Sequence, residues 1–294
     1  MFAAARPLGA SVALLAGLAI ALALQRETEP EPIALEAAKG GDVAVRARIH
    51  APKVARKPRV VPSQAELAEA RAFAAARAGA ISFAVVDTQG RLRGKGSKRL
   101  FSSASVVKSM LLAAELRRLQ RDGLPLDART ESLLRAMITY SDNDAADTIY
   151  SRVGDAGLFE VARLARMERF TVAGHWGNAQ ITAADMARMF SDLDRVYAGR
   201  NRELGLGLLG SIVPEQSWGV PAAAGREWTV RFKGGWVTTE RGQLAHQAAE
   251  LRAPGRRLAI AVLTDYQPSM SYATETVRGV AERLLDTRPA SKDP

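Results

Sequence analysis

Ser105 and Lys108 lie three residues apart in the segment Ser105–Ala114, whose other members are nearly all apolar. On a helix this spacing places both side chains on one face, and a helix that is apolar all round is buried. Burial lowers the pKa of a lysine amine, and a neutral amine within reach of a hydroxyl is a general base. Ser105 would sit at the helix N-terminus, where backbone N–H groups favour developing negative charge. The pair predicts a serine nucleophile activated by a lysine, although a capping serine followed by an ordinary lysine is the simpler interpretation of this string alone.

A second polar group, Ser141-Asp142-Asn143, follows the apolar helical segment Leu133–Ile138. Three short polar residues at a helix end usually cap the helix or form a turn. In a catalytic setting, the same hydroxyl, carboxylate and amide would provide a proton relay, a structural clamp and a substrate-binding group. The tripeptide alone leaves both interpretations open.

A third group is Lys233-Gly234-Gly235. Apolar and polar residues alternate in the segment Trp228–Lys233, which ends at the lysine of this motif. The alternation predicts a strand and places the Lys233 side chain on the face opposite the buried one. The two glycines would let a ligand or another backbone approach the strand closely. The alternative is an exposed lysine before a turn.

Periodicity and capping signals indicate the elements that would position these groups. Ser63–Glu66 has the capping-box pattern and opens a helix, and a second capping box is predicted at Thr182–Asp185. Strands are then predicted at Ile81–Asp87 and Arg91–Gly96, a helical block at Ser105–Val213, strands at Trp228–Lys233, Leu244–Leu251 and Arg257–Thr264, and a last helix at Tyr272–Leu285. This order predicts an α/β protein of the α+β type, with a five-stranded antiparallel sheet flanked by helices. Both ends of the chain build the sheet, and an all-helical lobe is inserted between them.

Together, the three motifs are more specific than any one of them. Ser-x-x-Lys, Ser-Asp-Asn and Lys-(Thr/Ser)-Gly, in this order, are the signature of the serine β-lactamase and penicillin-binding-protein superfamily. The sequence resembles the class A β-lactamase-like branch over roughly Ser63–Asp286. The resemblance implies a β-lactamase/transpeptidase-like fold and an acyl-enzyme mechanism that needs no cofactor.

The resemblance also implies roles for the residues of the first two motifs. Ser105 would be the acyl-accepting nucleophile, and Lys108 would be its base. Ser141 would shuttle a proton to the leaving nitrogen. Asn143 would hydrogen-bond the amide side chain of the substrate, and Asp142 would be structural.

For the third motif, the resemblance implies that Lys233 attracts the substrate carboxylate and tunes the serine of the second motif. Gly234 and Gly235 would complete this substrate-binding strand. The backbone N–H groups of Ser105 and Trp236 would form the oxyanion hole, in which each donor typically contributes on the order of 3 kcal/mol.

One departure from the family pattern is Gly234, which stands where the family has a hydroxyl residue. One hydrogen bond to a substrate carboxylate is therefore missing, unless Thr238 or Thr239 supplies it.

A second departure is the loop Met167–Thr182. In class A β-lactamases the matching loop carries a Glu-x-x-Leu-Asn motif, whose Glu activates the deacylating water, and this motif is missing here. Glu168 is the only carboxylate before the predicted capping box and is expected on a helix, while His175 is an alternative group for activating water. The other histidines, His50 and His246, are far apart in the sequence, so no metal site is predicted.

The N-terminal part of the chain predicts export. Arg6 precedes the uncharged run Leu8–Leu24, which indicates a signal peptide or membrane anchor over residues 1–24. Prolines and charges in Gln25–Pro62 predict a linker. A hydrolase domain is then expected at residues 63–288, followed by a short tail at 289–294.

Composition excludes several other kinds of protein. The chain has 294 residues and no cysteine, so it has no disulfide, thiol nucleophile or cysteine-bound metal. Its net charge is +10, with much of the excess in Arg46–Arg59 and no accompanying aromatic-rich basic motif. Nucleic acid is therefore not a predicted partner.

The sequence thus predicts a monomeric, exported serine hydrolase at the cell envelope that takes β-lactams or cell-wall peptides and esters as small-molecule substrates. Because the loop Glu is missing, acylation should be faster than deacylation. The alternative is a catalytically weak or inactive binding or sensor module that uses the same cleft. A third hypothesis is a surface protein that binds an anionic polymer through Arg46–Arg59.

Overall fold

The computed structural model describes residues 60–197 and 199–287, and its central element is a five-stranded antiparallel sheet. The strands are β1 (Ala80–Val86), β2 (Leu92–Lys95), β3 (Leu100–Ser102), β4 (Gln180–Thr182), β5 (Thr229–Thr239), β6 (Gly242–Ala253) and β7 (Arg256–Asp265). The large sheet has the order β2-β1-β7-β6-β5, and β3 pairs with β4 separately. Strands from the start and the end of the domain therefore share one sheet, and the predicted fold class is confirmed.

Nine α-helices accompany the strands in the described part of the chain. They are α1 (Gln64–Ala76), α2 (Lys108–Arg121), α3 (Ala128–Arg135), α4 (Asn143–Leu164), α5 (Ala183–Ser191), α6 (Leu193–Val196), α7 (Arg202–Leu209), α8 (Val220–Ala223) and α9 (Met270–Leu285). Helices α2 to α8 all lie between β3 and β5 in the chain. Helices α2 to α7 form the helical block predicted at Ser105–Val213, and α8 lies beyond its predicted end. The short strand β4 is the only β element of this block in the described residues.

The centre of the sheet is buried on both faces. All seven residues of β1 are buried, as is the run Leu244–Leu251 of β6. A strand with one face in water would instead show alternating exposure. Helices α1 and α9 pack against each other and against the sheet, and α5 packs against β1, β6 and β7. The continuous burial of these strands is thus explained by helices from both the terminal segments and the inserted lobe.

The two predicted capping boxes have different outcomes. Ser63 caps α1, and both reciprocal hydrogen bonds of the box are present. Thr182 caps α5 by accepting the Asp185 N–H at 3.0 Å. The Asp185 carboxylate does not complete this second box, because it accepts the N–H groups of Glu168 and Arg169 at 2.7 and 3.1 Å. This buried carboxylate thus anchors the loop between α4 and β4.

The predicted targeting segment at residues 1–24 and the tail at 289–294 lie outside the described residues, as does most of the predicted linker. The last residues of that linker are described, and Val61 is buried and exchanges two hydrogen bonds with Thr88. Among the helices of residues 60–197 and 199–287, none is long and apolar enough to cross a membrane.

Candidate active site

Ser105 lies in a short 3₁₀ turn, Ala104–Val107, that leads directly into α2. Its predecessor Ala104 has a φ of 43°, in the left-handed region that residues other than glycine seldom occupy. Such backbone conformations cluster at functional sites. The turn packs against β5, so Ser105 lies between the start of a buried helix and the edge strand of the large sheet.

Gly235 on β5 allows this close approach. A Cβ atom at Gly235 would lie 2.7 Å from the Ser105 nitrogen and 2.9 Å from the Val106 nitrogen, closer than real Cβ contacts. The Ser105 N–H therefore lies directly beside β5. Because β5 is an edge strand, alternate N–H groups on its outer side have no strand partner. This arrangement fits the predicted oxyanion hole formed by the N–H groups of Ser105 and Trp236.

Lys108 is the first residue of α2 and is fully buried. Its Nζ donates hydrogen bonds to the Ser141 carbonyl oxygen and to Asn143 Oδ1, both at 2.6 Å, and lies 3.5 Å from Ser141 Oγ. Burial lowers the pKa of Lys108 to about 8, against the opposing charges of Asp142 and Asp147. None of the hydrogen-bond acceptors is a carboxylate, so the amine can lose its proton near neutral pH.

The structure does not join Ser105 and Lys108 directly. Among the described residues, no hydrogen bond connects the Ser105 hydroxyl with Lys108 Nζ, which instead contacts Ser141 and Asn143. The two residues lie one turn apart, since the Lys108 N–H donates to the Ser105 carbonyl. Ser105 and Lys108 therefore belong to one turn, and the Lys108 amine bonds the second motif instead of Ser105.

Ser141 is placed by an irregular helix end. A π-helical turn, Ala136–Tyr140, follows α3, and Ser141 then has φ 63° and ψ 33°. π-Turns and left-handed residues are both common at functional sites. Asp142 caps α4 by accepting the Ala145 N–H at 2.7 Å, which is the structural role that the sequence predicts. The kink directs the Ser141 side chain and carbonyl toward the two site lysines.

Lys233 is also fully buried, contrary to the alternation pattern and to the alternative of an exposed lysine. Its Nζ donates to Ser141 Oγ at 3.1 Å and to the Gly234 carbonyl at 2.8 Å. The face that alternation assigns to solvent is covered by the Ser105 turn and the Ser141 segment. Burial, and then the charge of Lys108, hold the pKa of Lys233 well below its usual value. No turn follows Lys233, because β5 continues to Thr239.

Neither Thr238 nor Thr239 takes the place of the hydroxyl that is missing at Gly234. The Thr238 hydroxyl donates to Gln243 Oε1, and the Thr239 hydroxyl donates to the Gly242 carbonyl. Both threonines thus make hydrogen bonds within the β5–β6 hairpin. Gly234 instead has Trp218 and Gln247 as neighbours, since an added Cβ would lie 3.6 Å from the first and 3.7 Å from the second.

The loop Met167–Thr182 brings a tryptophan to the site. The Trp176 ring centre lies 5.0 Å from Lys108 Nζ, and its indole N–H donates to Asp147 Oδ1 at 2.6 Å. This hydrogen bond is the main cause that holds the pKa of Asp147 below its usual range. The ring therefore covers one side of the Lys108 amine.

The two loop residues considered as substitutes for the missing Glu lie differently from expectation. Glu168 is not on a helix but in the loop after α4, where it pairs with Arg188 at 2.7 Å and Lys98 at 3.3 Å. His175 has both ring nitrogens engaged, with Nδ1 accepting the Gly177 N–H at 3.0 Å and Nε2 lying 3.1 Å from Asp147 Oδ1. Neither side chain hydrogen-bonds Lys108, Ser141 or Ser105 in the described structure.

His246 supports the nucleophile turn from behind. It lies on β6 opposite Gly235 and is fully buried. Its Nε2 lies 2.9 Å from the Ser102 carbonyl oxygen, and its Nδ1 accepts the Thr264 N–H at 3.1 Å. Burial lowers the pKa of His246 to about 4. A neutral imidazole with one acceptor and one donor nitrogen satisfies both contacts, and it ties the sheet to the segment that precedes Ser105.

Sequence reasoning missed the aromatic part of the site. Three of the four tryptophans in the chain lie there, namely Trp176, Trp218 and Trp236. Each of the three is adjacent to a glycine in the sequence. The sequence feature that could have indicated these rings is a tryptophan next to a glycine in a loop or on an edge strand. A large ring in such a place is difficult to bury in the core.

In residues 60–197 and 199–287, no three His, Cys, Asp or Glu side chains are placed to hold a metal ion. A cavity of about 440 Å³ lies at the hairpin end of β5, next to the site, and Ser102, Val237, Arg241 and Tyr266 are among its lining residues. It offers space for a substituent of a bound molecule, but none of the motif residues lines it.

A protein-family model matches a large part of this chain. The model of the "Beta-lactamase enzyme family" matches residues 126–287, more than half of the chain, and this range includes the second and third motifs. A comparison with curated proteins finds no match.

Solved structures share the fold at low sequence identity. A class A beta-lactamase from Mycobacterium abscessus is 20% identical with a TM-score of 0.62, covering 75% of this chain and 98% of its own. A beta-lactamase from Sphaerobacter thermophilus is 18% identical with a TM-score of 0.64, covering 76% and 97%. The structure titled PBP-A is 16% identical with a TM-score of 0.65, covering 75% and 94%.

Proposed function

Because this chain belongs to the beta-lactamase enzyme family, we propose that it is an exported serine hydrolase that forms an acyl-enzyme on Ser105. Its acyl donors are β-lactams or peptides and esters of the cell wall. One observation carries the proposal: a buried amine, Lys108, lies one turn after Ser105, bonds only neutral acceptors and has a pKa lowered to about 8. A lysine in this state accepts a proton from a hydroxyl near neutral pH.

The acylation step uses Ser105, Lys108 and Ser141 in sequence. Ser105 Oγ attacks the carbonyl carbon of the substrate and passes its proton to neutral Lys108. The C–N bond of the lactam or amide, or the C–O bond of an ester, then breaks. Ser141 Oγ donates a proton to the leaving atom and is reprotonated from Lys108, so the proton lost by Ser105 ends on the leaving group. The Ser105 and Trp236 N–H groups stabilise the negative charge on the carbonyl oxygen.

Slow deacylation is part of the proposal. The loop that should supply a water-activating carboxylate places Trp176 over Lys108 instead. Glu168 is paired with Arg188 and Lys98, and both nitrogens of His175 are engaged. An indole ring accepts no proton from water, so we expect the ester on Ser105 to persist.

Export and anchoring extend the proposal beyond the described residues. The apolar run Leu8–Leu24 and the proline-rich segment that follows it support a targeting signal and a spacer. We therefore place the hydrolase domain at residues 63–288 at the cell envelope, as a monomer without nucleic-acid partners.

Intact mass spectrometry after incubation with benzylpenicillin tests the proposal. A β-lactam ring opens without losing its nitrogen, so we expect a single adduct with the full mass of the penicillin. The Ser105→Ala variant should carry no adduct, while Ser132→Ala, which changes an exposed serine on α3, should behave as the unmodified protein.

The same samples measure deacylation once free penicillin is removed. We expect the adduct to remain for minutes or longer. An adduct that survives Ser105→Ala would refute the nucleophile assignment, and rapid loss of the adduct would refute slow deacylation. No adduct at all would favour the non-catalytic binding module.

A further inference from the structure

The surface beside Gly234 is aromatic. Gly234 and Trp236 are two residues apart on β5 and therefore share one face of the strand. Trp218 contacts this face from the segment before α8, with its ring edge 3.6 Å from the position of a Gly234 Cβ. The rings of Trp218 and Trp236 meet edge to face with centres 6.5 Å apart. Trp236 is 38% exposed, so the pair presents indole surface to solvent at the site.

The third neighbour of Gly234 offers no free polar group. Gln247 is buried and uses both ends of its amide internally, with Nε2 donating to the Gln216 carbonyl at 2.9 Å and Oε1 accepting the Val220 N–H at 2.7 Å. The two threonines considered as replacements for the missing hydroxyl, Thr238 and Thr239, are bonded within the hairpin. A substrate group that lies against Gly234 therefore meets two indoles and backbone.

The cation of the third motif is also withdrawn from this surface. Lys233 Nζ is buried, bonds Ser141 Oγ and the Gly234 carbonyl, and has the Trp236 ring centre 6.0 Å away. Within the described residues, it is the only cation that lies over either of these two indoles. An incoming carboxylate would have to displace existing hydrogen bonds to reach it.

Trp176 is a third indole at the site, on the Lys108 side. Only the fourth tryptophan, Trp228, lies elsewhere, against Arg256. Indole faces bind flat rings and the C–H faces of sugars, whereas a carboxylate buried among them without a partner is unfavourable.

From this geometry we infer that, among the ester donors of the proposed function, the site prefers one that carries an uncharged ring, rather than a carboxylate, on its leaving-group side. The inference rests on the proposed acylation of Ser105, because Ser141 and Lys233 mark the side from which the leaving group departs. Two sources share this chemistry, an aryl ring and a pyranose ring, and both leave as neutral alcohols. In each case the bond from Ser105 Oγ to the acyl carbon forms, the bond from that carbon to the leaving oxygen breaks, and the serine proton ends on that oxygen.

A matched pair of esters tests the inference. Both have the same acetyl group, and the leaving groups are 3-carboxyphenol and its uncharged methyl ester, 3-(methoxycarbonyl)phenol. We expect the uncharged ester to acylate Ser105 at least about tenfold faster, measured as the second-order rate of adduct formation at pH 7.5 after subtraction of the Ser105→Ala background. 1-O-Acetylglucose in a third arm distinguishes the two sources, since it should outpace the aryl ester only if the natural ring is a sugar.

Three variants test whether Gly234 and Trp218 cause the preference for the uncharged ester. Gly234→Ser adds a hydroxyl where there is room for one. The ratio of the acylation rate with the uncharged aryl ester to that with the carboxylated ester should fall severalfold, because the new hydroxyl can hydrogen-bond the carboxylate of the second ester. Trp218→Leu should slow the uncharged aryl ester roughly tenfold. Phe159→Leu changes an exposed aromatic residue of the helical lobe and is the control, with a ratio equal to that of the unmodified protein.

The outcomes separate this inference from the proposed function. If the carboxylated ester reacts as fast as its partner, or if Trp218→Leu leaves the ratio unchanged, the inference is wrong even though Ser105 is acylated. If neither the esters nor benzylpenicillin modify Ser105, the proposed function fails and the inference fails with it.

Discussion

Ser141 Oγ lies between two lysine amines, 3.5 Å from Lys108 Nζ and 3.1 Å from Lys233 Nζ. Two positive charges this close repel each other, so a charge on one favours the neutral form of the other. Burial acts in the same direction on both amines. The carboxylates of Asp142 and Asp147 oppose the effect at Lys108, and the balance leaves a base that titrates near the pH at which it would work.

The acylation rate should therefore rise with pH, with an apparent midpoint near 8, the pKa of Lys108. The charge of Asp147 raises that pKa, so Asp147→Asn should move the midpoint to lower pH and increase the rate at pH 7 roughly two- to fivefold. Asparagine keeps an acceptor for Trp176, which limits the change to the charge.

Stopped-flow measurement of acylation from pH 6 to 10 provides this midpoint. Asp144→Asn removes an exposed carboxylate from the same helix and serves as the control, with an unchanged midpoint. A midpoint that moves to higher pH in Asp147→Asn would show that Lys108 is not the group that titrates.

At the scale of elements, the site depends on the contact between β5 and the turn that precedes α2. Glycine at position 235 lets the strand backbone lie against the Ser105 and Val106 nitrogens. The π-turn at the end of α3 and the left-handed Ser141 then bring the second motif to the same place. Each of these features is a local irregularity, and regular elements would leave the three motifs apart.

Gly235→Ala should therefore abolish most acylation. Its Cβ would lie 2.7 Å from backbone, so the strand and the turn must separate and the oxyanion donors must move, with a loss of about 100-fold or more in the acylation rate. Gly234→Ala is the matched control for stability, since its Cβ would have its nearest contact at 3.6 Å.

Denaturant unfolding and the acylation rate, measured on both variants, separate the two effects. We expect Gly235→Ala to lose about 1–3 kcal/mol of unfolding free energy and Gly234→Ala to lose less than about 0.5 kcal/mol. Acylation by Gly235→Ala at an undiminished rate would contradict the proposed oxyanion hole.

At the scale of the whole molecule, the sheet connects the two ends of the domain to the helical lobe. His246 illustrates this connection, because it is on a central strand, accepts from Thr264 on β7 and contacts the Ser102 carbonyl before the nucleophile turn. Both contacts require a neutral imidazole, because one ring nitrogen must accept a hydrogen bond while the other donates one. We therefore expect the protonation of His246 to contribute to the pH dependence of the stability of the whole domain.

The unfolding free energy should fall in mild acid. The pKa of His246 is about 4 in the folded protein against 6.5 for a free histidine, so the stabilisation is complete above pH 6.5 and is lost as the pH falls toward 4. The loss from this group is about 3 kcal/mol. Urea unfolding at several pH values from 7 to 4 measures it, and His246→Gln should show a flatter slope over that range. Equal slopes for both proteins would exclude His246 as the cause.

The amino-acid sequence by itself determined the family and the architecture. The three motifs are short and local, and their order is retained in the chain, so Ser105, Lys108, Ser141, Asn143 and Lys233 could be selected without coordinates. The sheet built from both ends followed from hydrophobic runs and capping signals such as Ser63. Periodicity reports the burial of an element along its own length, and this information is sufficient for such predictions.

Only the tertiary structure decided how those residues are arranged. Lys233 is buried because a turn distant in sequence covers its face of β5, which alternation along the strand cannot reveal. The same holds for Trp176 over Lys108, for Asp185 anchoring a loop instead of completing a capping box, and for the indoles beside Gly234. Each of these contacts joins segments far apart in the chain, and their chemistry depends on distances that no local pattern encodes.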